Sequence, residues 1–275
     1  MSLADLPPLR ESLEAHGLLA KKSLGQHFLL DLNITRKIAR LAEVTADDLV
    51  IEVGPGPGGL TRALLETGAD VVAVEKDPRF LPLLEDLASA ADGRLTLRLA
   101  DALAVSEAEI AGGRPAKVVS NLPYNVGTPL LLKWLTGSFT PASMTLMFQK
   151  EVARRIVARP GESAFGRLAV ISQACAEAQL VMDVPARAFT PPPKVESAVV
   201  RLRPLAKRPP QPLLESLQAV TAAAFGQRRK MLRSSLKGEG GEILCEASGL
   251  DPARRAETLD ISEFLSLAEA RLRLR

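Results

Sequence analysis

From residue 49 onward, apolar positions gather in short unbroken runs at 49–54, 70–75, 95–99, 117–121, 143–148, 178–184 and 197–203. The early runs are rich in valine and lack polar alternation, as in strands covered on both faces. Between them, apolar residues recur at helical spacing around 60–67, 78–89, 128–136, 150–158 and 166–175. This alternation predicts an α/β fold with a doubly wound, mostly parallel sheet. The stretch from Val181 to Val199 leaves no room for a helix-bearing crossover, so a late strand is expected to run antiparallel.

The pattern changes after a proline-rich hinge (Pro204, Pro209, Pro210, Pro212). Beyond it the spacing is helical only, over 213–225, 228–237, 241–248, 252–257 and 261–272, which predicts a small all-helical domain. At the other end, Pro7, Pro8 and a short amphipathic run (Leu9, Leu13, Leu18, Leu19) read as an arm with one helical piece, followed by a helix whose buried face carries Ile34, Ile38 and Leu41. The expected division is an arm over 1–22, a sheet domain over 23–204 and a helical domain over 205–275. No internal repeat is present.

Composition narrows the class without fixing it. The 275 residues are 47% hydrophobic and 24% charged, ordinary for a soluble globular protein. No apolar run approaches the ~20 residues that span a bilayer, so no membrane association is expected. The first residues lack the basic and apolar regions of an export signal. Two cysteines, Cys175 and Cys245, are too few for a disulfide framework and sit in no metal-ligand spacing; a reducing, cytoplasmic setting and no metal are expected. Residues 1–200 are slightly acidic, and 201–275 carry the whole positive excess of this +3 chain, a footprint suited to a polyanion.

The chain is organised around 49–61, where a strand runs into Gly54, Gly56 and Gly59 and then into a helical pattern. Ligands in open α/β sheets bind at that place. The G-x-G-x-x-G match is weak alone, and Pro55 and Pro57 remove two N–H groups that a pyrophosphate would need. No Lys-Ser/Thr pair follows, so a P-loop is excluded. Glu75 ends the second strand, 21 positions after Gly54, where an acid can accept both ribose hydroxyl protons of a nucleoside cofactor. Asp101 follows the third strand and could accept from an adenine amino group. Each acid could instead cap the next helix.

The fourth strand leads into Asn121-Leu122-Pro123-Tyr124. Pro123 stiffens the turn and holds Leu122 extended, which fixes the direction of the Asn121 amide oxygen and the Leu122 carbonyl. Tyr124, the chain's one tyrosine, offers a flat face on which a base could stack. Ordinary Asn-x-Pro turn chemistry and a core tyrosine remain the alternatives.

These motifs, together with Leu-Gly-Gln-His-Phe-Leu (24–29), Phe-Thr-Pro-Pro-Pro-Lys-Val (189–195) and Phe-Gly-Gln-Arg-Arg-Lys-Met-Leu-Arg (225–233), occur in the order found in S-adenosylmethionine-dependent ribosomal RNA adenine dimethyltransferases. The chain resembles that family over roughly residues 18–240, and its last motif resembles the bacterial small-subunit (16S) enzymes more than their large-subunit relatives. The resemblance implies a seven-stranded Rossmann-like methyltransferase sheet and transfer of methyl groups to N6 of two adjacent adenosines, giving N6,N6-dimethyladenosine. It implies that His27 and Leu29 close over the cofactor, Gly54 approaches its methionine part, Glu75 its ribose and Asp101 its adenine, with Asn121 between cofactor and target base. His27 stands where the family is expected to carry Asn most often; a neutral imidazole can still donate or accept. Tyr124 and Phe189 would sandwich the flipped base, although Phe189 could equally be plain core.

Arg228, Arg229, Lys230, Arg233 and Lys237 put five positive charges and no acid into 225–237. On a helix they would form a basic face for phosphates, extended by Arg154, Arg155 and Arg159. Small-subunit ribosomal RNA, or the pre-30S particle that contains it, is the expected partner of a monomer. Two other readings stay open: a large-subunit (23S) adenine methyltransferase, and a ribosome-assembly factor in which methylation is secondary. A nicotinamide dehydrogenase is disfavoured by the prolines of the glycine turn and by the absence of a hydride-transfer acid or base near 121–125.

Overall fold

A computed structural model describes residues 2–18 and 27–275. Residues 19–26, which hold Leu19 of the amphipathic run, the basic Lys21 and Lys22, and the first three residues of the 24–29 motif, lie outside the described part. The arm contains helix α1 (Leu9–Ala15). A two-residue strand β1 (Phe28–Leu29) precedes α2 (Leu32–Leu41), whose Asp31 side chain accepts from Asn33 N as its N-cap. Then come β2 (Leu49–Val53), α3 (Gly59–Leu65), β3 (Asp70–Glu75), α4 (Leu81–Ser89), β4 (Leu95–Leu99), α5 (Glu107–Ala111) and β5 (Ala116–Asn121). Helix α6 (Gly127–Thr136), β6 (Ser143–Gln149), α7 (Lys150–Val157), α8 (Arg167–Cys175), β7 (Ala176–Val184), β8 (Phe189–Thr190) and β9 (Ser197–Pro204) complete the sheet region. Helices α9 (Gln211–Gly226), α10 (Leu232–Ser235), α11 (Gly241–Ala247) and α12 (Ile261–Leu274) follow.

Seven strands form one sheet in the order β4-β3-β2-β5-β6-β9-β7. Strands β2 through β6 pair in parallel, and β9 lies antiparallel to β6 with Leu146 opposite Val200. Every residue of β2 is buried, whereas β4 at the edge is largely exposed. The chain runs outward from β2 to β3 and β4, then returns to β5 on the other side of β2. The reversal point of the sheet therefore lies between the carboxyl ends of β2 and β5, where α/β ligands bind.

Residues group into two compact units, and the grouping differs from the linear division at 204/205. One unit comprises 1–131, 138–150 and 180–202; the other comprises 132–137, 151–179 and 203–275. The arm belongs to the sheet unit, and α7 and α8 belong with the C-terminal helices. The physical reason is burial: Ala169, Val170 and Ala174 of α8 share one core with Leu217 and Val220 of α9 and Phe264 and Leu267 of α12. Phe225 stacks on Phe264 at 5.5 Å and meets Phe165 edge-on at 6.0 Å within it. In the sheet unit, Val50, Val71, Val119 and Leu64 form the main core.

Two expected helices are absent. Residues 227–230 form a turn and only Leu232–Ser235 is α-helical within 228–237; residues 252–257 hold turns and the start of a 3-10 segment, Ala256–Thr258. The two stretches bond to each other instead. Leu232 N donates to Arg254 O at 2.7 Å, Arg233 N donates to Pro252 O at 3.0 Å, and Met231 bridges Arg255. Backbone donors taken by a distant segment are lost to a local helix.

Candidate active site

At the reversal point of the sheet the glycine turn closes on itself. Gly54, Gly56 and Gly58 all have positive φ. Gly54 N donates to Val74 O, Gly58 N to Pro55 O and Gly56 N to the Glu75 carboxylate at 3.0 Å. With these donors committed inside the protein, the turn offers no phosphate cradle. A Cβ on Gly54 would stand 3.2 Å from the Pro123 ring, so the glycine lets the turn approach the Asn-Leu-Pro-Tyr loop closely.

The same turn lines a cavity of about 460 Å³. His27 and Leu29 from the β1 segment, Gly54, Glu75, Asn121 through Tyr124, and Phe189 all face it. Residues 160 and more positions apart meet because β1 pairs antiparallel with β8, setting Leu29 opposite Phe189 and Phe28 opposite Thr190. Glu75 Oε1 accepts from Lys76 N and Asp77 N, each at 2.8 Å, so three N–H groups fix its carboxylate at the cavity wall. His27 Nδ1 lies 2.7 Å from the Pro191 carbonyl. A carbonyl only accepts, so Nδ1 carries the proton and a neutral ring presents Nε2 as an acceptor. Its ring centroid is 6.3 Å from that of Tyr124.

Asn121 ends β5, and the Ser120 hydroxyl beside it donates to Val53 O, tying the ends of β5 and β2 together. Leu122 is buried, and Pro123 O accepts from Val126 N and Gly127 N at the start of α6. Tyr124 remains 39% exposed and its hydroxyl lies 3.4 Å from Ser197 Oγ, whereas Phe189 is only 2% exposed. Both rings line the cavity, one partly exposed and one buried.

Asp101 is the one proposed cofactor residue that does not line the cavity. Its carboxylate accepts from Lys76 Nζ at 2.7 Å and from Leu103 N at 3.0 Å, at the end of the neighbouring strand β4. Conversely, Phe28, Phe80, Asp77 and Glu52 line the cavity, and the sequence assigns none of them a role: Phe28 and Glu52 stand only as members of motifs. Phe28 and Phe80 meet edge-on at 5.5 Å and rest on Leu13 of the arm. Glu52 had a signal: it is the one charge in β2, a strand buried throughout. Burial pushes its carboxyl up to about 8, and the nearby Glu75 charge adds to the shift; the Thr61 hydroxyl pulls the other way from outside hydrogen-bond geometry.

The basic motif is placed differently from the helical face expected. Arg228 donates from Nε to Glu257 Oε2 at 3.0 Å and from Nη2 to Glu162 O at 3.4 Å. Arg229, Lys230, Arg233 and Lys237 are exposed, carried by a turn, the short α10 and a 3-10 segment (Lys237–Glu239) instead of one long helix. Gly161 N donates to Glu257 O, which sets the 159–165 segment, with exposed Arg159, against the same motif. Among the described residues there is no group of three His, Cys, Asp or Glu that could hold a metal, and no helix is long and apolar enough to cross a membrane.

Comparison with known proteins gives the arrangement a family. Residues 17–271 match the family described as ribosomal RNA adenine dimethylase. The Ribosomal RNA small subunit methyltransferase A of Phenylobacterium zucineum is 73% identical over 98% of this chain and 94% of its own. That of Caulobacter vibrioides is 68% identical over 92% and 98%. Among solved structures, the 23S rRNA methyltransferase ErmE superposes with a TM-score of 0.68 at 28% identity, covering 88% of this chain and 98% of its own. A dimethyladenosine transferase from Plasmodium falciparum shares the fold, with a TM-score of 0.72 at 24% identity over 88% and 96%. The cavity at the reversal point, walled by the glycine turn, Glu75 and Asn-Leu-Pro-Tyr, thus sits in a chain that belongs to the ribosomal RNA adenine dimethylase family.

Proposed function

We propose that this protein transfers methyl groups from S-adenosylmethionine to N6 of two adjacent adenosines in small-subunit (16S) ribosomal RNA, giving N6,N6-dimethyladenosine. The observation that carries the reading is the convergence of Asn121-Leu122-Pro123-Tyr124 with Glu75 and the glycine turn on one cavity. The small-subunit assignment is supported by relatives at 54–73% identity that bear that name, against 28% for the large-subunit relative.

The residues present fit a nucleoside methyl donor. Glu75 would accept from the ribose hydroxyls, Gly54 would approach the methionine part, and His27 and Leu29 would close over it. Asp101 would reach the adenine amino group after sharing or releasing Lys76. Adenine N6 is a weak nucleophile because its lone pair is delocalised into the ring. The Asn121 amide oxygen and the Leu122 carbonyl, accepting its two N–H bonds, favour a pyramidal nitrogen and aim its lone pair at the donor methyl. Tyr124 and Phe189 would hold the base outside its helix. Catalysis on this account is positioning plus preorganised acceptors, without a metal and without a covalent enzyme intermediate. Arg228, Arg229, Lys230 and Arg233 would supply phosphate contacts on the pre-30S subunit.

Single-turnover transfer to small subunits tests the roles. Asn121→Ala is expected to slow the chemical step by roughly 10²–10³-fold, as for loss of a preorganised polar group, with donor binding retained. A normal rate in Asn121→Ala would refute the assignment.

A further inference from the structure

Glu52 has no part in the mechanism above, yet it lines the donor cavity at 1% exposure. Its Oε2 has no hydrogen-bond partner, and neither has the Thr61 hydroxyl beside it. A buried carboxyl without partners is unfavourable as an anion unless a cation or donor answers it. Among the described residues, the other titratable groups lining the cavity are His27, Glu75, Asp77 and Tyr124, and no lysine or arginine of that set lines it. Arg62, next to Thr61 on α3, is turned away and donates to arm carbonyls of Leu3, Leu6 and Pro7. The described lining around the glycine turn is therefore acidic, with Glu52, Glu75 and Asp77. Of the two positive centres on that part of the donor, only the ammonium carries N–H donors for an orphan carboxylate oxygen; the sulfonium has none.

We infer that Glu52 is a proton-coupled counter-charge for the ammonium of the methyl donor: the carboxyl is held protonated in the ligand-free cavity and releases its proton as the ammonium binds. This rests on S-adenosylmethionine being the donor. The direction agrees with the carboxyl's position at about 8 in the ligand-free protein. Glu75, already fixed by three N–H donors, is left to the ribose. Because S-adenosylhomocysteine keeps the ammonium, donor and product share this proton release, and the coupling acts on affinity for both.

Calorimetric titration of the whole protein at pH 6.5, in two buffers with unlike heats of ionisation, counts the protons. That pH lies below about 7.7–8.0, where an α-amino group loses its own proton. Binding of S-adenosylmethionine and of S-adenosylhomocysteine should each release about one proton, and affinity should rise about tenfold per pH unit between pH 6 and 7. Glu52→Gln should bind without that release, and the difference between the two proteins removes what His27, Glu75 and Asp77 contribute. An analogue of S-adenosylhomocysteine lacking the amino group, bound to the unaltered protein, should release none. Equal proton counts in the unaltered protein and Glu52→Gln, or full release with the amino-free analogue, would overturn the inference. Absence of any binding heat with S-adenosylmethionine would strike the donor reading itself.

Discussion

A carboxyl that keeps its proton in the folded chain makes stability depend on pH in an unusual direction. Glu52 moves from 4.5 to about 8 on folding. Between those values the unfolded chain has lost the proton and the folded chain retains it, so stability falls as pH rises and the penalty is complete above about 8. Glu52→Gln should therefore stabilise the ligand-free protein by a few kcal/mol, as an order of magnitude, at pH 8.5 and scarcely at pH 4.5. Denaturant titrations at both values check this; an equal effect at the two would contradict it. At the same scale, stacking is worth about 1–3 kcal/mol per base, so Tyr124→Ala should weaken productive binding of the target base by roughly 10–100-fold while Tyr124→Phe keeps it. Quantitative transfer rates with the two variants separate stacking from any role of the hydroxyl. The sequence marks most of these residues through spacing alone: Glu75 at 21 positions from Gly54 and Asn121 at a strand end need no third dimension. Glu52 was also visible, as a lone charge in an apolar run, but only burial reveals that nothing answers it.

At the scale of elements, two devices hold the cavity wall. Arg62 Nη1 donates to Pro7 O at 3.1 Å and Nη2 to Leu3 O at 2.9 Å and Leu6 O at 3.3 Å, clamping the arm on α3. The clamped arm in turn places Leu13 under Phe28 and Phe80. Arg62→Ala should cost roughly 1–3 kcal/mol, and protease should cut the arm before the sheet; an unchanged cleavage rate would refute the clamp. The second device is the pairing of β1 with β8, which joins His27 to Pro191 and brings Phe189 to the cavity. Two-residue strands carry no periodic signal, so this pairing was not legible. Nor was the pairing of 231–233 with 252–254, which replaces two expected helices. The basic motif survives that change as an exposed turn. Arg229→Glu with Lys230→Glu should lower affinity for small-subunit RNA and reduce the salt slope by about two; an unchanged slope, read by binding over a salt series, would remove the motif from the interface.

For the whole molecule, the strand alternation reads directly from valine-rich runs, and the antiparallel late strand follows from the short 181–199 connection. The division into units does not read from the chain, because it is not linear. Helix α8 shows the reason: its buried alanines and valine look alike whether they cover a sheet or a helix, and here their partners lie on α9 and α12. The chain passes from one unit to the other five times, at 131/132 within α6, 137/138, 150/151, 179/180 within β7 and 202/203, so a boundary drawn at a proline hinge captures only the last crossing.

Methyl transfer from labelled S-adenosylmethionine to purified small subunits that lack the modification, with large subunits in parallel and nucleoside analysis of the product, tests the proposed reaction most directly. Dimethyladenosine in small-subunit RNA, lost in Asn121→Ala, is the predicted result. Label on large subunits, or tight binding to small subunits with no transfer, would contradict it.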